Sequence, residues 1–152
     1  MTPTKLNKRI LVQRLDYISQ MIEEIQSLPL GNPEEFFSDR RNVWSAEACV
    51  RRVLEAILDL GRHILAKCFG KGVTEYKKIA DELENKGVLS HESAQIMRIL
   101  AGYRNRMVHF YHEVTREELY SICSQELKDI LFLKESLVKW IKVHPENVDE
   151  TF

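Results

Sequence analysis

The sequence predicts an all-α protein: an antiparallel up-and-down four-helix bundle with one or two additional short helices. Apolar residues recur at steps of three and four along most of the 152 residues. No stretch alternates with period two for long enough to make a strand, and the connectors between apolar stripes are short.

The first stripe is Leu11, Leu15, Ile18, Ile22 and Ile25, one face of a helix, stopped by Leu28-Pro29-Leu30-Gly31. Asn32-Pro33-Glu34-Glu35 starts a short second element that ends near Ser38: a capping side chain, proline at the first helical position and acids at the positive end of the dipole. A long helix follows from about Val43 to Cys68, with Cys49, Val53, Ile57, Gly61 and Ile64 on its stripe, and Gly70 and Gly72 end it. Thr74 to Asn85 reads as a modest helix with Tyr76, Ile79 and Leu83 inward, terminated at Lys86-Gly87. Ser90 caps the next, whose stripe is Ile96, Leu100, Tyr103 and Met107. Thr115-Arg116-Glu117-Glu118 is a capping box, Thr115 bonding forward and Glu118 reaching back, for one final helix that runs to Pro145. Trp44 and Trp140 are expected as core or interface anchors, and His63 as a satisfied bundle residue.

With 44% hydrophobic and 30% charged residues and no linker or repeat, the chain is expected to be a single domain over residues 1–152. Twenty-two Lys and Arg against 23 Asp and Glu leave a formal charge of −1, which argues against a basic coat for sequence-blind nucleic-acid binding but leaves a local patch open. Cys49, Cys68 and Cys123 are too few and too scattered for a disulfide framework or a zinc ribbon, and a reducing cytoplasm is the natural location. The N-terminal apolar residues are interrupted by Gln13, Arg14 and Asp16, so no signal-peptide core is present, and no run is long enough to span a membrane. Phosphate-binding glycine loops and the GxSxG elbow are absent.

Chemistry concentrates in Gly102-Tyr103-Arg104-Asn105-Arg106-Met107-Val108-His109-Phe110-Tyr111-His112-Glu113. Arg can fork onto a phosphate while His exchanges a proton near neutral pH, a combination suited to cleaving a phosphodiester without a metal. Asn105 can orient a neighbour, and Tyr111 adds a phenol. Arg104 and His109 are five residues apart, about 140° around a straight helix, so one site requires the helix to end near Val108 or a second copy to complete it. The same residues at a helix C-terminus also serve simply to cap carbonyls and complement the dipole. A metal bound by His109, His112 and Glu113 is a further possibility, but no third-ligand pattern supports it and no metal or cofactor is expected. Arg40-Arg41 and Arg51-Arg52 read as solvated faces.

Arg104-Asn105-Arg106-Met107-Val108-His109-Phe110-Tyr111 resembles the RxxxxH motif of the HEPN superfamily, in the RxxxxHxY form of HepT-like toxins. Trp44-Ser45-Ala46 leading into Val53 through Ile64 resembles that family's long core helix, and Tyr76 through Leu83 with Gly87-Val88-Leu89-Ser90 its following helix and turn.

The resemblance implies a HEPN/HepT-like helical domain that forms a homodimer with the motifs of two protomers in one cleft. It implies a metal-independent endoribonuclease, the toxin of a type II toxin-antitoxin system, whose antitoxin is a minimal nucleotidyltransferase. By position, Arg104 holds the scissile phosphate, His109 transfers protons as the RNA 2′-hydroxyl attacks, and Tyr111 receives AMP from the antitoxin. Asn105, Arg106 and His112 are expected in support, His112 being a second imidazole beside the motif. DNA is not an expected partner. The alternative is a non-catalytic helical dimer that binds nucleotides or a nucleotidyltransferase partner.

Overall fold

The computed structural model describes residues 2–109 and 114–150. In order these form β1 (Leu6–Asn7), α1 (Lys8–Gln26), α2 (Pro33–Ser38), α3 (Arg40–Phe69), α4 (Tyr76–Asn85), α5 (His91–His109), α6 (Arg116–Gln125), α7 (Leu127–Val143), a 3-10 turn at Pro145–Asn147, and β2 (Val148–Asp149). The chain is therefore mostly helical, as its periodicity predicts. Among the described residues no helix is long and apolar enough to cross a membrane.

Side-chain caps set several of the helix starts. The Asn7 side chain accepts from the Ile10 amide at 3.1 Å, and the Asn32 side chain from Glu34 at 2.9 Å. α3 starts at Arg40 rather than Val43 because Asp39 caps it, accepting from the Arg41 amide at 2.9 Å. Its C-terminus closes on Gly70 at φ 62°, where a left-handed residue turns the amides of Gly70 and Lys71 back to the Leu65 carbonyl. α4 begins at Tyr76, two residues later than the expected Thr74, and its N-cap Glu75 makes no side-chain capping bond.

α3 is the axis of the fold: α1, α2, α4, α5 and α6 all pack on it, and α7 packs against α5. It buries Val50, Val53, Leu54, Ile57, Leu58, Leu60, Ile64 and Leu65, a wider stripe than any neighbour. Gly61 leaves room on α3 for side chains of α4 and α5. A Cβ there would meet Leu83 Cδ1 at 2.9 Å, Ile79 Cγ2 at 3.1 Å and Met97 Cε at 3.4 Å. Gly61→Val is therefore expected to cost about 1–3 kcal/mol through overpacking, read as a lower urea midpoint with an unchanged slope; an unchanged midpoint would show that α4 yields freely.

Two elements of the fold differ from the periodicity reading. The single final helix is two, α6 and α7, meeting at Glu126, whose φ of −106° and ψ of 0° depart from regular helix values while staying in the right-handed region. Leu119, Ile122, Cys123, Leu127 and Ile130 are buried on both sides of the break. The stripe keeps its phase across the junction, so periodicity cannot reveal it. Glu126 instead accepts the Tyr103 hydroxyl of α5 at 3.0 Å, while α6 packs on α3 and α7 on α5. Second, β1 and β2 pair in parallel, Leu6 with Val148 and Asn7 with Asp149, joining the two ends of the chain. Two residues cannot display an alternation, so sequence pattern is blind to such a pair.

Trp140 is buried and stacks on His144 at 4.5 Å, as an anchor should. Trp44 is not a core residue: it is 61% exposed, with the Arg40 guanidinium over its ring at 5.5 Å. His63 is half-buried, and desolvation, reinforced by the positive Arg14 and Lys67, pushes its imidazole down to about 4, so it is neutral at physiological pH. Its Nε2 has no hydrogen-bond partner, so it is a packed rather than a satisfied bundle residue.

Candidate active site

α5 carries the motif to its end, and the last described residue of that helix is His109. Arg104, Asn105, Arg106 and His109 line one cleft of about 620 Å³, together with Gly102. Thr74, Glu75, Tyr76 and Lys77 at the start of α4 and Arg62 of α3 complete its lining. The 140° separation expected on a straight helix does not part Arg104 from His109, because the cleft is broad enough to be lined by both. Tyr111, His112 and Glu113 lie outside the described residues.

Arg104 is the most constrained member, with 19% of its side chain exposed. Its Nε donates to Glu55 Oε1 at 3.3 Å and its Nη1 to Asn105 Oδ1 at 3.4 Å, so Asn105 orients the arginine as its amide chemistry suggests. The guanidinium carbon lies over the Tyr76 ring at 4.4 Å. Arg106 pairs with Glu118 and lies over the Tyr103 ring at 5.3 Å. This corrects the capping box. Thr115 does accept from the Glu118 amide at 3.1 Å, but the Glu118 carboxylate turns to Arg106, since an ion pair across elements outcompetes a neutral amide. Tyr103 packs against the core, and burial, then its bond to Glu126, pushes its phenol up to about 12. Met107 is buried, so both belong to packing as their stripe implies.

Sequence reasoning missed the opposite wall. Arg62 and Lys77 add positive charge to the cleft, and Tyr76, read as an inward stripe residue, presents its ring there. The one available signal was the run Arg51, Glu55, Asp59, Arg62, a charged line at helical spacing along α3. Its members pair in the fold: Arg51 with Glu55 at 3.7 Å and Arg62 with Asp59 at 3.6 Å. Nothing in that line announces that it faces a site, because solvated helix faces carry the same pattern.

Other nucleophiles are poorly suited to chemistry. Cys49, Cys68 and Cys123 are free, and burial pushes the Cys68 thiol up to about 11 and that of Cys123 to about 12. Among the described residues no group of three or more His, Cys, Asp and Glu is placed to hold a metal ion. The proposed ligands His112 and Glu113 fall outside those residues.

Residues 18–136 match the family model described as ribonuclease HepT-like. The chain belongs to the HepT-like family. This HepT-like chain is 23% identical over 146 residues to the tRNA nuclease HepT of Aphanizomenon flos-aquae, covering 95% of the chain and 99% of that protein. It shares its fold with a tri-AMPylated HEPN toxin of Shewanella oneidensis solved in complex with an MNT antitoxin: TM-score 0.76, 19% identity, 86% of this chain and 97% of that one. The cytosolic protein YutE of Bacillus subtilis, of unknown function, is also similar in fold, with a TM-score of 0.74 at 15% identity over 90% of this chain and 91% of that one.

Proposed function

We propose that this HepT-like chain is a metal-independent endoribonuclease, the toxin of a type II toxin-antitoxin system. It works as a homodimer in which the motif clefts of two protomers combine. Within each protomer the four long helices α1, α3, α5 and α7 form an antiparallel up-and-down bundle that holds the cleft rigid. The observation that carries the reading is the convergence of Arg104, Asn105, Arg106 and His109 on one cleft whose far wall adds Arg62 and Lys77. The similarity to a protein named tRNA nuclease HepT supports RNA as the substrate, and the solved toxin in complex with an MNT antitoxin supports a nucleotidyltransferase partner.

In this mechanism Arg104, with Glu55 on its Nε, turns its remaining N–H groups to the scissile phosphate and neutralises the charge that builds on its oxygens. The 2′-hydroxyl attacks the adjacent phosphorus, the 5′-oxygen leaves, and a cyclic phosphate remains on the upstream fragment. His109, which lines the same cleft, transfers the proton of that exchange, and Arg106 and Arg62 bind flanking phosphates. The overall charge of −1 suits such a site, since attraction comes from the local cluster and not from the whole surface.

The test is incubation of the purified, unmodified protein with RNA in excess chelator. Cleavage that persists and leaves cyclic phosphate ends is expected. Activity lost to chelator and restored by metal would replace the mechanism with a metal-dependent one, and no cleavage in either condition would favour the non-catalytic binding dimer.

A further inference from the structure

The ring of Tyr76 sits under two guanidiniums at once, with the carbon of Arg104 at 4.4 Å and that of Arg62 at 4.8 Å from its centroid. The ring itself is tethered, because its hydroxyl donates to Asp59 Oδ1 at 3.2 Å, and Asp59 lies 3.6 Å from Arg62 Nη2. Desolvation, and then the negative charge of Asp59, raise the phenol above its ordinary value, so the proton stays on the oxygen and that tether persists at neutral pH. One turn before Asp59, Glu55 takes the Nε of Arg104. Beside the Asn105 bond to its Nη1, two groups from other helices therefore hold Arg104 in place. Glu55 fixes one edge of the guanidinium, and the Tyr76 face limits how its plane can rotate about that edge.

The ion pair at 3.3 Å and the long bond to Asn105 at 3.4 Å both leave the guanidinium plane room to tilt, and a tilting guanidinium binds a phosphate without holding it in line. We propose that Tyr76 is a positioning residue of the cleft, its aromatic face setting the direction in which Arg104 presents its free N–H groups to the scissile phosphate. The proposal rests on the ribonuclease reading above. It makes the ring essential and the hydroxyl secondary, because the ring contacts Arg104 whereas the hydroxyl only steadies the ring. Arg62, over the same ring and in the same cleft lining, is placed to meet a flanking phosphate.

The experiment compares Tyr76→Phe with Tyr76→Leu in the full-length protein, each checked for an unchanged helical spectrum and thermal midpoint. Steady-state cleavage of an RNA oligonucleotide is measured in chelator. For Tyr76→Leu a loss of kcat of roughly 100-fold with little change in KM is expected, the scale that follows a misplacement of about an ångström, and Tyr76→Phe should restore most of it. A Tyr76→Leu protein that is folded and cleaves like the parent would overturn the proposal. So would equal losses in Phe and Leu, which would assign the effect to the hydroxyl bond with Asp59. The NMR signal of the Arg104 Nε–H gives a readout independent of activity. It should move out of the ring-current field in Tyr76→Leu and stay within it in Tyr76→Phe, and an unmoved signal also overturns the proposal. If the parent protein cuts no RNA, the ribonuclease reading fails, while the NMR comparison still decides whether the ring orients Arg104.

Discussion

Replacing His109 or Arg104 with alanine is expected to remove RNA cleavage almost entirely while leaving the fold in place. Among the described residues His109 is the one imidazole lining the cleft, and loss of a positioned proton-transfer group costs about 10²–10⁴-fold in rate. In the proposed mechanism Arg104 supplies charge where charge develops, and its removal is expected to cost about 10²–10³-fold. If the two act on one transition state as proposed, the double variant should fall little below the worse single one. Neither residue is a core residue, unlike Met107 between them, so the helical spectrum should not change. One local effect accompanies Arg104→Ala: Glu55 loses its partner on α5 but keeps Arg51 on its own helix at 3.7 Å, which limits the cost to stability. The measurements are single-turnover cleavage of labelled RNA and growth of cells expressing each variant. Undiminished cleavage by both folded variants would end the ribonuclease assignment to this cleft.

The second large effect is silencing by modification of Tyr111. It stands two positions after His109, with only Phe110 between them in the sequence, and AMP on its hydroxyl would add a bulky anion beside the motif. Phosphate charge near Arg104, Arg106 and His109 would compete with RNA for the same cations and repel its backbone. Co-expression with a cognate minimal nucleotidyltransferase is therefore expected to add one or more adenylates, seen by intact mass, and to drop RNA cleavage to background. Tyr111→Phe should escape the mass gain and remain toxic in the presence of the partner. A Tyr111→Phe protein that gains the same mass would move the acceptor elsewhere in the chain.

The helices were legible because each rests on local physics. Leu11 to Ile25 on one stripe, the Asn32-Pro33 start and the glycine stop after Phe69 are dictated by residues within a turn or two of each other. The motif residues were legible for a related reason: Arg and His so close to one another suggest a proton and a phosphate whatever the fold. Glu126 shows where that reasoning ends. The buried stripe continues through it, and the backbone at Glu126, whose side chain bonds Tyr103 on another helix, marks the point where one helix becomes two.

Composition, periodicity and capping thus decide that this chain is helical, where most helices start and stop, and which dozen residues carry unusual chemistry. All of these follow from interactions between neighbours in sequence. Whether Arg104 and His109 share a cleft, that Tyr76 and Arg62 form its other wall, and that Glu118 serves Arg106 and not the start of its own helix depend on contacts between α3, α4, α5 and α6. Those contacts arise from burying several apolar stripes against α3 at once. The sum of many small packing terms sets them, and no short window of sequence contains that sum.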